Sequence, residues 1–248
     1  MVTSHSSHGD EDDVRILIIF YSRFGVLKAL AEELASGAKQ VKGVAVELLE
    51  VSDDPIEQIR SGESEPSMIA RRSHVLHQFA RADALVIGSP AYFGSMASPV
   101  KRLFEDCVAA SSPIRPDRSR PWRAHLLRDK IGAAFTSSAT PHGGNEQTLH
   151  SILTMLMHLG MIIVTPGQRE PILEEPSAPY GATAVAGADK RSVPTKAERA
   201  EARSLGQRVA EVAFWHTKGM LLCLRQGDLD AYRAHLGMPP YDLTPSDG

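Results

Sequence analysis

The stretch from Arg15 to Leu34, RILIIFYSRFGVLKALAEEL, changes its hydrophobic period once, and that change restricts the fold more than any other feature of the chain. Ile16 to Phe20 is an unbroken apolar run, too short for a core helix and suited to a strand buried on both faces of a parallel sheet. Leu27, Leu30, Ala31 and Leu34 then recur at helical spacing, with Glu32 and Glu33 outside the stripe. The connection is Tyr21-Ser22-Arg23-Phe24-Gly25. Such a turn aims backbone N–H groups and the positive end of a helix dipole at one point, which suits an anion, above all a phosphate. Taken alone, the stretch also suits a plain strand-to-helix turn with a serine cap and a glycine bend.

The same period recurs along the chain. Val44 to Val51 predicts a second strand and Ala84 to Ile87 a third, with a loop and then a helix ending near Phe79 between them. Lys130 to Thr136 predicts a fourth strand, and Met161 to Thr165 a fifth. A helix is expected to start near Ser98-Pro99, with serine at the cap and proline in the first turn, and another to run from about Glu146 to Leu159. Strands alternating with helices in this way imply an α/β fold with a parallel sheet. Two further strand-to-helix loops then accompany the first turn. One carries Ala91, Tyr92 and Phe93; the other runs Ser137-Ser138-Ala139-Thr140-Pro141-His142-Gly143-Gly144. In an open parallel sheet these loops lie side by side at the carboxyl ends of the strands. Together they suggest a ligand with a phosphate at one end and a flat apolar ring system at the other, although Tyr92 and Phe93 also suit plain packing.

Composition excludes several alternatives. A formal net charge of -3 gives no basic surface for general nucleic-acid binding. No apolar run approaches the roughly 18 to 20 residues that span a bilayer, and no signal-peptide core precedes the first strand, so a cytoplasmic protein without membrane partners is expected. Cys107 and Cys223 lack metal-ligand spacing, and no metal site is expected. Residues 1–13 read as a disordered tail, 14–214 as the α/β domain with a final helix ending about Phe214, and 215–248 as a C-terminal extension with a short amphipathic helix. The proline- and glycine-rich segment from Pro166 to Val193 is too long for an ordinary connection and reads as a flap or subunit contact.

Several segments are similar to the flavodoxin-like FMN proteins and, in detail, to their WrbA-type NAD(P)H:quinone oxidoreductases. They are SPAYFGSM from Ser89, GGNEQT from Gly143, HLGMIIV from His158 and PYGATAVAG from Pro179. The resemblance spans about Arg15 to Val212. It implies a flavodoxin-like three-layer sandwich with a five-stranded parallel sheet of order 2-1-3-4-5, FMN as cofactor and NADH or NADPH as electron donor. It also implies a small-molecule quinone as acceptor and a homo-oligomer, dimer or tetramer. Ser22, Arg23, Phe24, Gly25, Val26 and Leu27 would hold the FMN phosphate. Ala91, Tyr92 and Phe93 would flank the isoalloxazine, and Ser138, Ala139, Thr140, Pro141, His142 and Gly143 would lie along its polar edge. His158 would reach the flavin across a subunit contact, and Trp122, with Phe24, would wall the substrate pocket. No catalytic acid is required, although His142 or His158 could donate a proton.

The chain departs from the family at Val26, where a histidine is common, at Tyr92, where arginine is common, and at Pro141-His142, where threonine and glycine are usual. These changes bear on substrate and nicotinamide preference more than on FMN, which backbone N–H groups largely hold. With no G-x-G-x-x-G at a strand-to-helix turn and no Walker motif, a separate dinucleotide domain is not expected. Other readings are an FMN or azo reductase with another acceptor, a flavodoxin-type electron carrier, or an interaction protein working through the segment after Trp215.

Overall fold

A computed structural model describes residues 13–51, 75, 77–105, 127–168, 178–187 and 193–225. Strand β1 (Val14–Phe20) pairs in parallel with β2 (Val44–Glu50) on one side and β3 (Ala84–Tyr92) on the other. β3 continues in parallel to β5 (Ile131–Ser138), and a two-residue β4 (Ser95–Met96) folds back antiparallel on the end of β3. The sheet order is β2-β1-β3-β5-β6, with β6 at Ile162–Ile163. Apart from the small hairpin strand, this is the expected order, and the flavodoxin-like three-layer arrangement holds.

The fifth position differs from expectation. β6 touches only Ile131 and Gly132 of β5, while β7 (Ala182–Val185) pairs in parallel with Phe135 to Ser138. Among the described residues the sheet therefore has seven strands, not five, with its last position shared by two short ones. Within the segment read as a flap, β7 thus belongs to the core of its own chain. Its small residues explain why: a Cβ on Gly181 would lie 2.3 Å from the carbonyl oxygen of Ala134. Ala182 and Ala184 are buried beneath the neighbouring helix.

β1 shows why both faces must be covered. Ile16, Ile18 and Phe20 point to a layer made by α1 (Val26–Ala38) and α4 (Lys196–Arg225). Leu17 and Ile19 point to the opposite layer, with Phe79, α2 (Ser98–Phe104) and α3 (Asn145–His158). α2 is preceded by Ala97, not by the expected serine cap; Ser98 and Pro99 already lie inside the helix. Residues 77–81 are helical as expected up to Phe79, and the earlier part of that predicted helix lies outside the described residues, as does the predicted N-terminal tail apart from Asp13.

α1 and α4 cross at unusually close range. A Cβ on Gly37 would lie 1.8 Å from the carbonyl oxygen of Arg203, and one on Gly206 would lie 2.0 Å from that of Leu34. Each glycine admits the other helix's backbone. Arg203 and Arg199 pair with Glu33 at the rim of this contact. The start of α4 is tied to the sheet by a reciprocal cap. The Glu198 N–H donates to Thr195 Oγ1 (3.2 Å) and the Thr195 N–H to Glu198 Oε2 (2.7 Å), while Glu198 Oε1 accepts from the Val185 N–H of β7 (2.7 Å). α4 then runs without a break past Phe214, the expected end, through Arg225. His216 donates from Nε2 to the carbonyl of Asp129 at 2.7 Å, which holds the helix beyond that point. The rest of the predicted amphipathic extension lies outside the described residues. No helix among the described residues is long and apolar enough to cross a membrane.

At the amino ends of the strands, the Lys130 ammonium donates to the carbonyls of Phe79, Ala80 and Ala82. Burial lowers its pKa to about 8, against the opposing pull of Asp83.

Two predictions follow from this packing. Gly206→Ala should lower stability by about 1–3 kcal/mol, because separating the helix backbones outweighs alanine's helix preference of about 1 kcal/mol; urea unfolding measures it. Lys130 makes stability rise with pH between about 8 and 10.5, because the unfolded chain, at the ordinary value, holds more protons there. Lys130→Met should remove that rise from a series of unfolding curves across this window.

Candidate functional site

The expected phosphate turn leaves β1 where the Tyr21 N–H donates to the Gly88 carbonyl (3.2 Å), which ties the end of β1 to β3. The Ser22 hydroxyl oxygen accepts from the N–H groups of Gly25 (3.1 Å) and Lys28 (3.2 Å), clamping the turn onto the first turn of α1. Gly25 precedes the helix with φ +89°, a left-handed conformation in which a side chain is strained. Val26 and Leu27, the next two residues, have amides that no helical carbonyl can reach. The first turn of α1 holds no acidic residue, so no carboxylate competes for the positive end of its dipole.

The second loop is held from below. Ser89 Oγ accepts from the Ala97 N–H (2.7 Å) and donates to the Pro90 carbonyl (3.1 Å), while Thr136 Oγ1 donates to the Ser89 carbonyl (2.6 Å). β3 and β4 are joined by Phe93 (φ 54°) and Gly94 (φ 71°), the paired positive angles of a tight hairpin turn. In the third loop, the Thr140 carbonyl accepts from Ser138 Oγ (2.7 Å) and from the Gly143 N–H (2.9 Å). The two loops meet at their glycines, since a Cβ on Gly144 would lie 2.9 Å from Gly94 Cα. A Cβ on Gly143 would lie 2.5 Å from that of Ser138.

These three loops enclose an open cleft of about 210 Å³. Of the residues singled out in the sequence, Ser22, Arg23, Phe24, Val26, Leu27, Ala91, Tyr92, Ser138 and Ala139 line it, and Gly25 forms the turn between them. Pro90, Ser137 and Ala186 line it too and were not among the expected site residues. Ala186 arrives on the chain leaving β7, where its N–H donates to the Ser138 carbonyl (2.7 Å). The small-residue run around it was the available signal, but it read as a flap.

Other expected residues lie elsewhere. Phe93 is fully exposed at the tip of the hairpin, and Thr140, Pro141 and His142 form an exposed turn, with half-buried Gly143 behind them. His158 ends α3, about 20 Å along the helix from Asn145 at 1.5 Å per residue, so it cannot serve the cleft of its own chain. Trp122 lies outside the described residues.

The donor set fits a flavin mononucleotide. Backbone amides and a hydroxyl converge at one end without a carboxylate, and Pro90, Ala91 and Tyr92 give a largely apolar wall. Hydroxyl and amide groups line the far edge. No cluster of metal-ligating side chains occurs among the described residues.

Comparison with known proteins agrees with this chemistry. The family model described as NADPH-dependent FMN reductase matches residues 14–169. A protein of Geotalea daltonii named NAD(P)H dehydrogenase (quinone) is 34% identical over 210 residues, covering 81% of this chain and 97% of that relative. One of the same name from Chromohalobacter salexigens is 35% identical over 209 residues, covering 80% and 96%. The crystal structure of a flavodoxin, WrbA-like protein from Agrobacterium tumefaciens shares the fold. Its TM-score is 0.55 at 23% identity, over 82% of this chain and 99% of that one. A strand-to-helix anion turn beside two ligand loops, on a sheet of this order and with relatives of this kind, means that the chain belongs to the NADPH-dependent FMN reductase family of flavodoxin-like proteins.

Proposed function

We propose that this protein is an FMN-dependent oxidoreductase that passes two electrons from NAD(P)H to a quinone, in the cytoplasm. The observation that carries the reading is the cleft itself, in which an acid-free anion turn stands at one end of an open, flat wall. The names of the relatives support the choice of donor and acceptor.

In this reading the turn from Ser22 to Leu27 holds the phosphate of FMN, through the amides of Val26 and Leu27 and the hydroxyl of Ser22, whose oxygen takes the Gly25 amide. Ala91 and Tyr92 flank the ring system, with Phe93 beside them on the hairpin. Ser138 and Ala139 offer polar groups to its polar edge. FMN, when bound, supplies acceptance and release of a hydride equivalent. The protein orients the rings and leaves one face open, so donor and acceptor use the same place in turn. Phe24 bounds that place.

The same reading includes assembly. His158 lies far from its own cleft, and Met157, Ile162 and Trp215 are exposed apolar groups, which supports a homo-oligomer, dimer or tetramer, in which a neighbouring chain brings its His158 to each site. The extension beyond Trp215 would add to that contact.

Purified protein mixed with FMN should show a bound-flavin spectrum that bleaches with NADPH or NADH and recovers with benzoquinone. Absence of bleaching by either donor over minutes would favour an electron carrier. Gly25→Val, which forces a branched side chain into φ +89° beside the phosphate position, should weaken FMN binding at least about tenfold. In light scattering with FMN bound, the protein should be larger than a monomer; a monodisperse monomer with full quinone turnover would refute the shared site.

A further inference from the structure

Among the described residues lining the cleft, Arg23 carries the only charge. Its guanidinium carbon lies 5.8 Å from the centre of the Phe24 ring, a cation–π distance that keeps the charge at the rim. Phe24 is 51% exposed there. Among the described residues Arg23 has no carboxylate partner, whereas the next cation along the chain, Lys28, pairs with Glu50 at 3.4 Å. The Arg23 fork is therefore available to an anion from solution.

The flavin phosphate does not need that charge. The Ser22 hydroxyl, which takes the Gly25 and Lys28 amides on its oxygen, and the Val26 and Leu27 amides stand at the start of α1 with the helix dipole behind them. Arg23 instead stands exposed at the rim of the cleft. A nicotinamide stacked on the open face of the ring leaves its adenosine half to extend over the rim, because the cleft is too small and too open to enclose a dinucleotide. There, a guanidinium held on a phenyl ring offers a stacking surface for adenine and a two-pronged donor for a phosphate monoester.

NADPH and NADH differ at that end by one group, the 2′-phosphate. We propose that Arg23 pairs with the 2′-phosphate of the electron donor and makes the protein selective for NADPH over NADH. The inference rests on the cleft being the site of nicotinamide oxidation.

The test uses FMN-loaded protein and Arg23→Met. With benzoquinone as acceptor, kcat/KM for NADPH should fall about tenfold or more in the variant, the weight of one charge-assisted contact. The ratio of the NADPH value to the NADH value, both taken on protein saturated with FMN, should fall about tenfold. Calorimetric titration supplies a readout independent of turnover. The unmodified protein should bind 2′,5′-ADP about tenfold tighter than 5′-AMP, and Arg23→Met should bind the two alike. Equal binding of the two probes by the unmodified protein would overturn the proposal, whatever the variant does. So would an unchanged NADPH-to-NADH ratio in the variant, and a loss of FMN affinity alongside that unchanged ratio would reassign the guanidinium to the flavin phosphate. If neither donor reduces the flavin while the two probes are still told apart through Arg23, the quinone reductase reading fails and the 2′-phosphate site stands.

Discussion

A parallel sheet buried on both faces leaves its chain little freedom, and the rest of this molecule depends on that. Successive residues of β1 feed opposite hydrophobic layers, so helices must cover both sides. Each parallel connection must then carry the chain back before the next strand begins. The loops that follow β1, β3 and β5 consequently share one edge. Because the order places β1, β3 and β5 next to one another, the three loops become the three walls of a single cleft. The site is a consequence of the strand order before any side chain is chosen.

Its dimensions are set by small residues. Gly37 and Gly206 let α1 and α4 approach until backbone meets backbone, which fixes how α1 lies over the sheet. Glu198 links the first turn of α4 to β7, and the chain leaving β7 supplies Ala186 to the cleft wall. Gly94 and Gly144 bring the second and third loops into contact. The ion pairs of Glu33 with Arg199 and Arg203 lie at the exposed rim of the helix contact, where such pairs contribute at most about 1 kcal/mol. Backbone proximity, not surface charge, governs the geometry here.

The chemistry of the cleft follows from the same economy of side chains. Its anion end is built from backbone amides and a hydroxyl, which do not titrate near neutrality, and its wall is apolar. A site so lacking in acids and bases suits a cofactor that carries its own reactivity. The charged and aromatic side chains of its lining are few, namely Arg23, Phe24 and Tyr92.

Local pattern carried much of this. The change of period around Tyr21 to Gly25, the loop from Ala91 to Phe93 and the hydroxyl- and glycine-rich loop after β5 are contiguous in the chain, so their chemistry was legible residue by residue. The sheet order was legible as well, through the resemblance carried by several such segments. By itself, then, the sequence determined the fold class and the places of the three loops along the chain. Only the tertiary structure decided that residues 182–185 complete the sheet, because four small residues in a long polar segment have no period of their own and become a strand only against Phe135 to Ser138. The same pairing put Ala186 into the cleft. The tertiary structure likewise carried α4 past Phe214, where the contact from His216 to Asp129 lies 87 positions apart in the chain. It also set His158 at the far end of α3 from its own cleft. Each of these depends on contacts between distant segments, and a linear pattern of apolar and polar residues does not record distance in space.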